Sequence, residues 1–174
     1  LTAEGREYDG SVNIALSGGV LSGVVGSDDV TCNIPAVGSV ASADAGTNKP
    51  VTVDKIALKG ADAGNYVLSQ PQGLTASISK APITIKAKDA SKTFAEKDPI
   101  LEYEITEGRL VGNDTVTGAL ARKAGEEVGT YDILQGTLAV SSNYKLTFVK
   151  GVFEIKENTN PYIAVSSERA RAGE

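Results

Sequence analysis

The sequence predicts a strand-dominated fold built from two tandem modules, and three observations carry that prediction. Apolar and polar residues alternate with a period of two through much of the chain, while apolar repeats of helical period are nearly absent. Clusters of Gly, Pro, Asn, Asp and Ser interrupt these runs about every ten residues, the spacing of short strands and tight turns. One ordered set of short motifs occurs twice.

The alternation is clearest in the second half. Ile83, Ile85 and Ala87 alternate with Thr84, Lys86 and Lys88, and Leu101, Tyr103 and Ile105 alternate with Glu102, Glu104 and Thr106. Tyr144, Leu146 and Phe148 follow the same rule, and Phe153 and Ile155 flank Glu154. Each run reads as a strand with one face on a core and one in water. Gly18-Gly19, Gly60, Pro71-Gln72-Gly73, Gly112-Asn113-Asp114, Gly125, Ser141-Ser142-Asn143 and Lys150-Gly151 are the expected turns. The second module thus reads as two strands, a turn or helical turn near 107–115, and three further strands. That order predicts a β-grasp-like arrangement with a reduced helix; the alternative is an immunoglobulin-like sandwich, for which about five strands are few.

The duplication sets the domain boundaries. Val25-Gly26-Ser27-Asp28-Asp29-Val30-Thr31 matches Val111-Gly112-Asn113-Asp114-Thr115-Val116-Thr117, and Tyr8 matches Phe94. Ala45-Gly46 matches Ala124-Gly125, Asn65-Tyr66 matches Asn143-Tyr144, and Ser77-Ile78 matches Glu154-Ile155. The modules are expected at 1–79 and 81–156, end to end as a semi-rigid rod, with Pro82 stiffening the joint. Residues 157–174 read as a linker, a strand over 162–166 and the truncated start of a further module. The first residue is Leu1 rather than Met, so the chain is expected to be a segment of something longer.

Composition excludes several kinds of chemistry. The chain has 174 residues and no His, Met or Trp, with one Cys. A Ser-His-Asp triad, an imidazole metal site, an internal disulfide and a thiolate zinc cluster are therefore ruled out. The net charge of −5 argues against nucleic acid as a partner. No apolar run approaches the roughly 20 residues that span a bilayer as a helix. Cys32 is expected to be a small buried hydrophobe.

The motifs of the first module resemble the YDG domain of bacterial surface proteins. They are Tyr8-Asp9-Gly10, Gly26-Ser27-Asp28-Asp29-Val30, Ala45-Gly46-Thr47-Asn48-Lys49-Pro50-Val51, the run from Leu58 to Leu68, and Thr75-Ala76-Ser77-Ile78. The second module resembles the MBG domain, a mucin-binding-like adhesin repeat. Its motifs are Lys92-Thr93-Phe94, Asp98-Pro99, Leu101, Tyr103, Gly125 to Tyr131, Gly136-Thr137-Leu138, Asn143 to Leu146 and Gly151 to Ile155. The usual Tyr-Gly is Phe94-Ala95 here. The resemblance implies an exported cell-surface or cell-wall protein, a spacer or adhesion role, and no catalytic residue, metal or cofactor. Its partners would be neighbouring modules of the chain and, through the full-length protein, host glycans or surface proteins. Direct binding of mucin-type glycans or a host protein is the alternative role.

Four constellations deserve weighing against plainer readings. The repeated Asn65-Tyr66 and Asn143-Tyr144 read as a turn that starts a strand, ahead of a shared ligand contact. Asp28-Asp29 and Asn113-Asp114 offer too few oxygens for calcium and read as Asp-capped turns. Glu102 and Glu104, with Glu96 and Glu126-Glu127, read as solvated faces rather than a hydrolase pair. A Lys145–Asn143 amide cross-link is disfavoured: it needs a buried Lys, an Asn and a neighbouring carboxyl, a set the sequence alone does not assemble there.

Overall fold

The computed structural model describes residues 1–159. The strand expected over 162–166 and the module start expected after it lie outside the described residues. The first half contains β1 (Thr2–Ala3), β2 (Arg6–Glu7), β3 (Asn13–Ser17), β4 (Thr31–Cys32), β5 (Val37–Ser39), β6 (Gly46–Pro50), β7 (Leu58–Lys59) and β8 (Thr75–Ser79). The second contains β9 (Ala81–Ala87), β10 (Ala90–Thr93), β11 (Tyr103–Glu107), β12 (Ala121–Arg122), β13 (Gly129–Leu134), β14 (Tyr144–Val149) and β15 (Gly151–Lys156). A single 3-10 turn at Ala63–Asn65 is the only helical element among the described residues. The fold is mainly β, as the period-two pattern predicts.

In the second module two sheets share a pair of long chain segments. β9 runs parallel to β14, and β10 parallel to β15. β11 flanks β9 on its other edge, and β13 flanks β15, with β12 outermost. Both segments therefore pass from one sheet to the other side by side. Lys150-Gly151 is the corner of this passage rather than a reversing turn. Gly151 is required there by close approach: a Cβ would lie 2.7 Å from the Ala87 carbonyl oxygen. Of the turn or helical turn expected near 107–115, the structure has the turn, closed by the Asp114 N–H donating to the Val111 carbonyl at 3.0 Å.

Alternation translates into burial where a second layer covers the strand. Ala81, Ile83, Ile85 and Ala87 of β9 are all buried, with Pro82 and Lys86 exposed between them. β11 is a strand as expected, but all five of its residues are exposed. It pairs only with β9 and lies at the sheet edge, so its apolar alternation finds no covering layer.

Strand pairing is alike in the two halves at the positions the motifs align near Tyr8 and Phe94. In the first module Arg6 and Gly46 flank Ile78; in the second Lys92 and Gly129 flank Ile155. The N–H of Tyr8 donates to the Ser79 carbonyl, and that of Phe94 to the Lys156 carbonyl. Register corrects one motif match: the counterpart of Gly46 is Gly129, not Gly125. Motif spelling misplaced it because an Ala-Gly pair occurs four residues ahead of Gly129, at Ala124-Gly125.

The buried core crosses the module boundary. One cluster joins Tyr8, Ile14, Val40, Ala76 and Ile78 of the first half to Ala81, Ile83, Ile85, Leu138 and Tyr144 of the second. A smaller cluster of Ala87, Ile133, Phe153 and Ile155 belongs to the second half alone. Lys80 is the only residue between β8 and β9. The two modules are thus packed against each other and are not separate beads on a short string.

Candidate functional site

The joint between the modules holds a bonded polar site that draws residues from both halves. It begins with a local device that the sequence repeats. In the second module the Tyr144 hydroxyl donates to Asp114 Oδ2 at 2.7 Å and accepts from the Val111 N–H at 2.7 Å. In the first, the Tyr66 hydroxyl donates to Asp28 Oδ2 at 2.6 Å and accepts from the Val25 N–H at 3.0 Å. Each tyrosine follows a turn whose closing bond is its own N–H, to Ala63 or to Ser141. The two repeated motifs, Asn-Tyr and Asp-bearing turn, are therefore halves of one clasp.

At the joint a second tyrosine enters the clasp. Tyr8 reaches from the first module and donates to the same Asp114 Oδ2 at 3.0 Å. Its ring meets that of Tyr144 edge-on, with centroids 5.6 Å apart and planes at 80°. Burial, reinforced by the Asp114 carboxylate, pushes both phenols above their ordinary pKa. Beside them Asn143 is buried: its Nδ2 donates to Asp44 Oδ1 and its Oδ1 accepts from the Ala45 N–H, both at 2.9 Å. The Asn143 carbonyl also accepts from Ala81 N–H at the start of β9. Asn65, its counterpart, is exposed. Asn143 differs only because the first module lies over it.

A second polar site lies within the MBG-like half. Lys92, 7% exposed, contacts Asp98 at 2.8 Å and also Glu126. Arg122 contacts Asp98 and Glu126, each at 2.5 Å, and its guanidinium sits 4.8 Å from the centroid of the Phe153 ring. Arg122 and Lys92 together hold the Asp98 carboxyl down at about 2. Asp98 and Glu126 in turn raise the Lys92 pKa. A buried lysine beside two carboxyls has the composition for amide condensation. Both shifts favour the charged forms, and the four side chains stand as an ion-pair network.

The other candidates disperse. Glu102 pairs with Lys88 at 3.2 Å, and Glu96 accepts from the Thr93 N–H. Glu104 lies exposed on β11, and the Glu127 backbone carbonyl accepts from the Tyr131 hydroxyl. Asp29 accepts from the Ala61 N–H while its own N–H donates to Asp62, which ties two loops together. Lys145 is exposed on β14, and Asn143, just ahead of that strand, is buried and held by Asp44 and Ala45. Cys32 is half-buried rather than fully buried. Tyr8 and Asp44 went unread as contact residues; the available signal was the Tyr8-Asp9-Gly10 motif, whose hydroxyl has no partner within its own module.

Comparison with known proteins adds to the geometry. A family described as the YDG domain matches residues 1–73, and one described as the MBG domain (YGX type) matches residues 83–154. No curated protein and no solved structure matches the chain. The two domain matches fall on either side of the Tyr8–Asp114 joint, and the chain is a YDG domain followed by an MBG domain of the YGX type.

Proposed function

We propose that this chain is a non-enzymatic spacer and adhesion module of an exported bacterial cell-surface protein, holding a distal binding domain away from the wall. YDG and MBG domains are adhesin-type modules of surface proteins, which supports the class. The observation that carries the spacer role is the buried joint. One linking residue, a shared carboxylate and a continuous apolar cluster fix one module on the next. A stalk needs such joints, because a flexible connection of the same length would collapse toward the surface. The exposed carboxylates are spread over separate faces, which is compatible with a solvated stalk.

The test places the chain between a wall anchor and a reporter binding domain on a cell surface. Deleting residues 1–159 is expected to reduce capture of a bulky probe, and an unrelated rigid β repeat of equal length is expected to restore it. Selective retention of the purified chain on an array of mucin-type glycans would overturn the spacer role and favour direct binding.

A further inference from the structure

The duplication leaves one gap, and the gap has the shape of a strand. In the second module β9 lies between β11 and β14. Arg6 and Lys92 are register counterparts, so Leu1 falls on Ala87, and the counterpart of Ala81–Lys86 would lie ahead of Leu1. The counterparts of β11 and β14 fall near residues 18–22 and at residues 66–71. Between those two segments the first module has a slot. A cleft of about 230 Å³, lined by Leu1, Val20, Leu21, Cys32 and Leu68, shares Val20, Leu21 and Leu68 with a second of about 350 Å³.

The walls behave as strands whose partner is missing. Tyr66, Leu68 and Gln70 are half-buried, and Val67 and Ser69 between them are exposed. That is the alternation of Tyr144, Leu146 and Phe148 on β14. Yet among the described residues neither 67–69 nor 19–24 makes a backbone–backbone hydrogen bond. An apolar slot whose walls lack backbone partners among the described residues calls for an occupant with its own backbone row. An acyl chain would fill the volume and leave both walls without such partners.

We propose that this slot receives an extended β-strand joined to the chain ahead of Leu1, parallel to residues 66–71 and antiparallel to residues 18–22. Its chemistry follows from the twin that fills the same place in the second module. Small and branched apolar side chains point inward, as Ala81, Ile83 and Ile85 do, and polar ones point outward. The first module is completed by the segment that enters it, much as module two is completed by β9 leaving the first. A strand-receiving slot is independent of the spacer role, which rests on the joint.

The experiment extends the full chain with a copy of residues 81–86 placed ahead of Leu1. A control extension carries aspartate in place of both isoleucines. Cys32 lines the slot and is the sole thiol, so its reaction with an aromatic disulfide reads occupancy. The apolar extension is expected to slow Cys32 labelling about tenfold and to slow amide exchange at residues 19–22 and 67–69. The control is expected to change neither. Unchanged labelling and exchange, or equal effects from both extensions, would overturn the proposal. So would slowed labelling with unchanged exchange at 67–69, the signature of an apolar cover without strand pairing.

Discussion

Ala95 adopts φ 72°, in the left-handed region. A side chain with a Cβ costs roughly 1–2 kcal/mol there. The family motif places Gly after its aromatic residue, and the backbone explains why. Ala95→Gly removes that cost and adds back roughly 0.4–1 kcal/mol of unfolded-chain entropy. The variant is expected to be stabilised by about 0.5–1 kcal/mol, a rise in melting temperature of about 2–3 °C by calorimetry. A fall would mean that the turn tolerates Ala without strain. The charge network makes a second prediction at this scale. Asp98 titrates at about 2 in the folded chain, below its ordinary 3.8. A depressed carboxyl stabilises the fold above its unfolded pKa, and that contribution is lost as pH falls from about 4 through 2. Asp98→Asn is expected to cost only about 1 kcal/mol at pH 7, because the carboxylate is 40% exposed and Glu126 still meets both cations. Melting temperature followed from pH 6 to pH 2 should then fall less steeply in the variant than in the parent. Parallel curves would remove Asp98 from the account of acid sensitivity.

Elements were legible where one periodicity spoke for one strand. β9, β14 and β15 follow from alternation alone, because each has a covered face and an exposed one. β11 also alternates and forms, but alternation cannot tell whether a second layer will cover it. The corner at Lys150-Gly151 read as a turn because Gly marks both reversal and close approach, and the difference lies in a neighbour more than 60 residues away. The clasp was half legible. Both of its motifs stood out by repetition, but the bonds joining them, such as Asp28 to Tyr66, span 38 residues and left no local pattern. Gly151→Ala tests the reading of the corner. A methyl group there would meet the carbonyl oxygens of Ala87 and Lys88 at 2.7 and 3.1 Å. Backbone on both sides cannot yield as a flexible side chain would, so the expected loss is about 2–3 kcal/mol by denaturant unfolding. A loss below 0.5 kcal/mol, on the order of a surface change, would show the two segments separating freely at the bend.

At the scale of the whole molecule, the joint decides whether two domains unfold as one. Tyr8 carries much of it, since a buried aromatic side chain removes roughly 150–250 Å² from water. It also donates to a carboxylate already held by Tyr144. A core cluster that draws five buried residues from each half couples their stabilities. The intact chain is therefore expected to unfold in a single calorimetric transition whose measured enthalpy equals its van't Hoff enthalpy. Tyr8→Phe keeps the ring contact and loses one hydroxyl bond, so it is expected to cost about 1–2 kcal/mol and preserve the single transition. Tyr8→Ala combined with Asn143→Ala removes the ring, the hydroxyl bond and both bonds to the Asp44–Ala45 loop. The second module keeps its own cluster around Phe153, so it should melt separately, and the transition should split in two. Small-angle scattering of the double variant should broaden at the same time, because Lys80 alone would then set the angle between the modules. Two transitions in the parent chain, or one in the double variant, would mean that the buried joint does not carry the coupling.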